Sequence, residues 1–256
     1  MTNPIWNRAR NAFSERLTRN WIPNPGYSAA GVPLVSVTFD DFPKSAATTG
    51  ARLLRDFGVK GTYFVAGGRS GRYLDGVDQF TDDDLLALAE SGHEVGCHTF
   101  SHLRLPRVSR VEIEQDLILN RNYVHRLLGD YAMTSFAYPF GAASISTKNC
   151  LCTHFAFCRG IWSGVNKGRI DFAQLRAVQI DYRLDYPRLE QVLDEAQRTN
   201  GWLIFFTHDV SDTPSPYGCT TQQLALVLET VVRREIAVLP VRDAGARVCN
   251  TSERLH

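Results

Sequence analysis

His98 and His102 stand four residues apart, a spacing that lets two imidazoles face one side of a turn and share a divalent cation. Spacings this short also arise by chance, so the pair gains meaning only from its surroundings. Val95 and its apolar neighbours read as a short strand that runs out at the first histidine. A second set of candidate groups has the same placement. The apolar run from Leu34 to Phe39 reads as a buried strand and is followed at once by Asp40 and Asp41. Two adjacent carboxylates at the end of such a strand are costly unless something positive sits beside them, and a metal ion would supply that charge. The other reading is a solvated turn that caps the following helix.

Three more strand ends carry chemistry-bearing residues. Phe136-Ala137-Tyr138 stops at Pro139 and leads into Phe140-Gly141, Ala177-Val178-Gln179-Ile180 ends at Asp181, and the buried run from Trp202 to Thr207 ends in His208 and Asp209. The C-terminal ends of parallel strands are where α/β barrels assemble their sites. Five coincidences of position are hard to assign to turn chemistry alone.

The elements that must position these residues follow from periodicity and caps. Helices are expected from about Ser45 to Phe57, after Thr81 with Asp82-Asp83-Asp84 as N-terminal charge, after Ser109 through a capping box with Glu112 as far as Gly129, from Pro187 to about Thr199, and from about Thr221 to Arg234. Further strands are expected at Thr62–Ala66, near Phe155–Phe157 and at Ile236–Leu239. Strands alternating with helices imply a parallel sheet, and seven or eight repeats imply a closed or nearly closed barrel, fold class α/β, over residues 31–256 as a single domain. Residues 1–30 read as an N-terminal amphipathic helix and connector. Ile5, Trp6, Ala9, Phe13 and Leu17 alternate there with Arg8, Arg10, Arg16 and Arg19, the pattern of a lid on the fold or on a second subunit of a homo-oligomer.

A formal net charge of +1 with cations scattered along the chain argues against a grip on nucleic acid and against a polybasic membrane anchor. No transmembrane segment is expected, because no apolar run reaches the length of a bilayer span; without the apolar core of a secretion signal at the N-terminus, a cytoplasmic location is expected. The six cysteines read as reduced thiols. Cys150 and Cys152, with His154 and Cys158 following, lack the Cys-x-x-Cys spacing of zinc ribbons and read as structural. Gly67, Gly68 and Gly71 do not follow a phosphate-cradling spacing and read as turn glycines.

With these residues assembled, the sequence resembles the NodB-like polysaccharide deacetylases, carbohydrate esterase family four. Thr38-Phe39-Asp40-Asp41 matches the first motif of that family, His98-Thr99-Phe100-Ser101-His102 the second, and Tyr138-Pro139-Phe140-Gly141 a variant of the third; Thr207-His208 falls where the histidine of the last motif belongs. The resemblance runs from about Val35 to Val241. It implies a distorted (β/α) barrel and a metal-dependent deacetylase acting on the N-acetylated amino sugars of an oligo- or polysaccharide. It further implies that Asp41, His98 and His102 hold a divalent metal ion, most often zinc, and that Asp40 is the base activating water. His208 would protonate the leaving group, Asp181 would orient His208 or cap a turn, and the backbone N–H of Phe140 would help to bind the oxyanion.

The match has departures. Many members of the family carry an arginine four residues before the third-motif glycine, contacting the catalytic aspartate; Ala137 stands there, which leaves Arg159, Arg176 and Arg242 as replacements or the charge absent. Phe140 replaces a frequent tyrosine. Tyr63, Trp162 and Tyr217 are candidate sugar-stacking platforms. The alternatives are an amidase or deformylase on a non-polysaccharide amide and a barrel that binds carbohydrate without turning it over.

Overall fold

The structure, a computed structural model, describes residues 17–28 and 31–252. Apart from its final turn, where residues 17–20 are helical, the amphipathic helix expected over residues 5–19 lies outside the described residues.

Eight strands form one curled sheet: β1 (Leu34–Asp40), β2 (Thr62–Val65), β3 (Glu94–Cys97), β4 (Ser135–Ala137), β5 (Phe157–Arg159), β6 (Val178–Gln179), β7 (Trp202–Thr207) and β8 (Ala237–Val238). Their order is β6-β7-β1-β2-β3-β4-β5, and every pairing is parallel, as crossover helices require. β1 is central, with all seven residues buried. One of its edges is shared: Leu34 and Val35 pair with Ala237 and Val238 of β8, whereas Thr38 to Asp40 pair with Thr62 to Phe64 of β2. The outer strands β5 and β6 do not pair with each other; Arg159 of β5 bridges instead to Leu175, three residues before β6, so the barrel is distorted and incompletely closed.

The helices are α1 (Ala51–Asp56), α2 (Asp82–Glu90), α3 (Arg110–Leu128), α4 (Ile145–Leu151), α5 (Tyr186–Thr199), α6 (Thr221–Arg233) and α7 (Val241–Ser252). Thr81 with Asp84 and Ser109 with Glu112 close the capping boxes that start α2 and α3. Alternation along β1 divides the core. Val35, Val37 and Phe39 pack outward with Leu189, Val192 and Leu193 of α5 and Leu224, Val227 and Leu228 of α6. Leu34 faces the other way, joining Phe64, Trp202, Ile204 and Phe206.

α7 was not expected. Its stripe of Val241, Ala244 and Val248 buries against this second cluster, and Gly245 lets it approach so closely that a Cβ there would lie 2.4 Å from the Phe157 ring. A second difference concerns β5, which occupies Phe157–Arg159 rather than Phe155–Phe157. The apolar run stops before Arg159, but an ion pair neutralises that arginine and the strand continues through it.

The connector is laced into the barrel. Pro25–Ser28 pairs antiparallel with Gly168–Asp171, and the fully buried Lys148 donates from Nζ to the carbonyls of Thr18 (2.8 Å) and Trp21 while forming an ion pair with Asp171 (2.6 Å). All six cysteines are free. Among the described residues no helix is long and apolar enough to cross a membrane.

Candidate active site

At the end of β1 the backbone turns sharply. Asp41 has φ +53° and Phe42 φ +27°, and Thr99 (+62°), His102 (+53°) and Phe140 (+58°) are also left-handed. Five of the eight non-glycine residues with positive φ among the described residues thus surround one spot. Backbone strain of this kind persists where the surrounding structure fixes a functional geometry.

The Asp41 carboxylate stands with Oδ1 3.9 Å from His98 Nε2 and Oδ2 3.6 Å from His102 Nε2. One ligand atom from each of the three residues lies within 4.8 Å of the others. His98 Nδ1 is 2.8 Å from the carbonyl of Ala137. That bond places its proton on Nδ1 and turns the Nε2 lone pair to the site, as a supporting shell does for a metal ligand. Burial pushes both imidazoles below their ordinary value, His102 to about 4, so both are neutral near pH 7. Asp41 Oδ1 is buried without a hydrogen-bond donor. Two neutral imidazoles and an unsatisfied carboxylate oxygen fit a divalent cation of the zinc type.

Two polar residues on the otherwise apolar buried stripe of α3 hold the histidine loop and the end of β2 from below. Asp116 Oδ1 accepts from the N–H groups of Phe100 (2.7 Å) and Ser101 (3.1 Å). Asn120 accepts from Gly67 N–H and donates to the carbonyl of Val65. Neither was expected; the available signal was a carboxylate and an amide among Ile113, Leu117 and Val124.

Asp40, 3% exposed, forms an ion pair with Arg159, which is wholly buried with its guanidinium 5.3 Å from the Phe64 ring and 4.8 Å from the Phe206 ring. Burial alone would raise the Asp40 carboxyl, but Arg159, together with His98 and His208, outweighs it and the net shift is downward. Of the three candidate arginines, Arg159 supplies the cation. Arg176 instead donates to the carbonyl of Ser163, and Arg242 is paired with Asp243.

His208 Nδ1 is 3.3 Å from the carbonyl of Tyr217, whose ring lies 5.6 Å from the imidazole. The loop bearing Tyr217 is pinned by Asp209, which accepts from Ser215 N–H (2.8 Å) and Ser215 Oγ (2.5 Å). Asp181 is not brought to His208 by any bond. Its buried carboxylate accepts from the backbone and side chain of Arg183. Tyr138 is buried, its hydroxyl donating to the carbonyl of Ala173 (2.8 Å), while the half-exposed Phe140 ring lies 4.4 Å from His102. After Pro139 the N–H groups of Gly141 and Ala142 close turns onto Tyr138 and Pro139.

A cavity of about 440 Å³ collects Asp40, Asp41, His98, His102, Phe140 and His208. Arg69, from the glycine-containing loop after β2, also reaches it, with Nε 3.6 Å from Asp41 Oδ1 and an ion pair to Asp75 (2.6 Å). Nothing in the local pattern distinguished it from a turn residue. Of the three candidate platforms, Tyr217 lines this cavity and is exposed, Trp162 lies in a neighbouring one, and Tyr63 is core: it is fully buried and stacks on Phe39 at 4.7 Å. A second group of ligand types, Glu114, Cys150 and His154, lies elsewhere, and its Glu114 is engaged by Arg110.

Residues 28–152 match a family described as polysaccharide deacetylase. A peptidoglycan-N-acetylglucosamine deacetylase of Bacillus cereus is 29% identical over 126 residues, 48% of this chain and 42% of that protein. The first curated relatives are thus matched over less than half their own length. In fold, the structure of T48 deacetylase with substrate has a TM-score of 0.60 at 16% identity, covering 85% of this chain and 93% of that one. Peptidoglycan deacetylase PdaC from Bacillus subtilis gives 0.58 at 18% identity, covering 85% and 92%.

Proposed function

We propose that the chain, whose residues 28–152 match a family described as polysaccharide deacetylase, removes an acetyl group by hydrolysis from N-acetylated amino sugars in an oligo- or polysaccharide. The observation that carries this reading is the convergence of Asp41, His98 and His102 beside the Asp40–Arg159 pair in one cleft. The curated relatives are named for peptidoglycan N-acetylglucosamine, which puts glycans containing that sugar first among substrates.

Asp41, His98 and His102 would hold a divalent ion, most in keeping with zinc. When bound, the ion supplies Lewis acidity toward the acetyl carbonyl and lowers the pKa of water. Asp40 takes a proton from the attacking water at its carboxylate, kept ionised by Arg159. The Phe140 N–H is the third-motif donor left for the oxyanion, because the turn consumes those of Gly141 and Ala142. His208 returns a proton from Nε2 to the departing amine, its Nδ1–H held by the carbonyl of Tyr217. Acetate and the free amine are the products. Asp181 acts here only on the wall of the neighbouring cavity, through Arg183.

The test is acetate release from N-acetylglucosamine oligomers before chelation, after it, and after zinc is restored, with Asp40→Asn alongside. Release should stop on chelation, return with zinc and fall by about 10²–10⁴ in the variant. Metal uptake without acetate release would overturn the sugar assignment.

A further inference from the structure

Cations scattered along the sequence converge on the barrel rim beside the cleft. Arg19, Arg169, Arg176 and Arg188, with Lys167 and Trp162, line one cavity of about 470 Å³. The two carboxylates lining it are already neutralised, Asp171 by Lys148 (2.6 Å) and Glu195 by Lys167 (2.6 Å). The four arginines have no ion-pair partner among the described residues. Two are braced by Ser163, whose carbonyl accepts from Arg176 (3.2 Å) and whose hydroxyl accepts from Arg188 (3.3 Å). Arg19 lies 5.4 Å over the Trp162 ring. Partial burial and the like charge of Arg19 push the Arg176 guanidinium below its ordinary value, outweighing the opposite pull of Glu195. A formal charge of only +1 for the whole chain makes this a local concentration of charge.

One further hollow lies between this cavity and the reacting cleft. Its volume is about 370 Å³, and it shares Ser163 and Arg188 with the arginine-lined cavity and Ile161, Gln179 and Phe206 with the cavity around Asp40. In that hollow Asp181 is spent on Arg183. A glycan chain extended from the reacting sugar along this track meets uncompensated guanidinium groups, whose planar fork suits carboxylates and phosphates.

We propose that this track binds acidic groups on sugars displaced from the reacting one, so that the preferred substrate is an acidic N-acetylated glycan rather than a neutral one. The inference rests on the deacetylase reading, and its test separates the two. Binding to the whole protein is measured by calorimetry, alongside acetate release, for a carboxylated N-acetylglucosamine oligomer, its carboxyl-reduced counterpart and a phosphorylated oligomer of the same length. At least one acidic form should bind about tenfold tighter than the reduced form, with the advantage shrinking as salt is added; which of the two does so identifies the acid. Arg188→Gln, at an exposed position, and Arg176→Gln should each lower that ratio, and together bring it near one. Arg52→Gln on α1, an equal loss of surface charge outside the track, should leave the ratio as it was. Equal binding of acidic and reduced forms, or a preference that survives loss of both arginines, overturns the proposal. Absence of acetate from every oligomer with the binding preference intact overturns the deacetylase reading instead. Displacement of the acidic oligomer by a single-stranded oligonucleotide that binds more tightly would reassign the track to nucleic acid and overturn the glycan proposal.

Discussion

Arg159 stands directly opposite Ala137 in the parallel register of β4 and β5, and its guanidinium reaches the Asp40 carboxylate at the end of β1. The cation that position 137 does not supply is delivered from the next strand at the same level of the barrel. The sheet brings the two positions side by side, so an arginine on either can reach the same carboxylate.

Removing that cation has a defined cost. Arg159→Ala leaves the Asp40 charge buried and unpaired, so the protein should lose about 3–5 kcal/mol of stability in urea unfolding. Asp40 now has a lowered pKa, and its stabilisation is present above the unfolded value of 3.8 and lost as pH falls through the folded one. Without Arg159, burial dominates and the carboxyl rises, so the acid limb of the pH–rate profile should move upward and the rate near neutrality fall by about 10²-fold. Adding Ala137→Arg, into space vacated by Arg159, should restore part of both. An unchanged acid limb in the single variant would show that Arg159 does not set the protonation of Asp40.

Most of this scaffold was legible in the sequence, and what was not has physical causes. The run Trp202–Thr207 is a strand in both readings because its signal is purely local. The capping boxes at Thr81 and Ser109 are equally local. β5 was displaced by two residues because a charged residue ends an apolar run unless a partner 119 residues away neutralises it. α7 was missed because its short stripe is interleaved with charged residues and makes sense only against Phe157 and Trp202. The paired carboxylates and histidines declared themselves by position, whereas Asp116 and Arg69 act through contacts that no spacing encodes.

His93 supplies a pH test removed from the chemistry. It is 4% exposed, and its Nδ1 accepts from the N–H of Gly61 (3.1 Å), which requires a neutral ring. Burial, then the charge of Lys60, lowers its pKa from 6.5 to about 4. Below pH 6.5 the unfolded chain takes up a proton that the folded chain refuses until about 4. The stability His93 contributes is therefore complete above 6.5 and should fall by about 3 kcal/mol across that window. His93→Asn keeps an acceptor for Gly61 without titrating, so urea unfolding at pH 7 and at pH 4.5 should show a smaller loss for the variant. Equal losses would mean that folding does not lower the His93 pKa, the folded and unfolded chains taking up the proton alike.

Gly218 controls His208 at one remove. A Cβ at residue 218 would lie 2.2 Å from Asp209 Oδ1 and 2.6 Å from the Asp209 carbonyl, so Gly218→Ala must displace the loop that presents the Tyr217 carbonyl. The His208 ring would then lose the acceptor that fixes its tautomer. We expect kcat to fall by about tenfold or more while metal content stays at the wild-type level. Tyr217→Ala, which keeps the carbonyl, should cost kcat less than Gly218→Ala. A larger kcat loss in Tyr217→Ala would place the effect in the aromatic ring instead.

Lys148 decides whether the segment before residue 30 belongs to the barrel. Its ammonium is wholly buried and joins three elements: α4, which carries it, the carbonyls of Thr18 and Trp21 at the end of the N-terminal turn, and Asp171 on the strand that pairs with Pro25–Ser28. Lys148→Met keeps the packing volume but leaves the Asp171 carboxylate, whose side chain is 10% exposed, without its cation. Breaking a buried pair from one side costs about 3–5 kcal/mol, because the remaining charge is uncompensated. The variant should lose stability by that amount and be cut by trypsin after Arg19 at protease levels that leave the wild type whole. Replacing both partners, Lys148→Met with Asp171→Ala, removes the stranded charge and should recover part of the stability but not the resistance to cleavage, since the grip on Thr18 and Trp21 is still gone. If the double variant recovers neither, the loss comes from disrupted packing around α4 rather than from the charge. If Lys148→Met changes neither stability nor cleavage, the N-terminal segment is held by its strand pairing and by the bonds of Trp21 and Asn24 to the barrel.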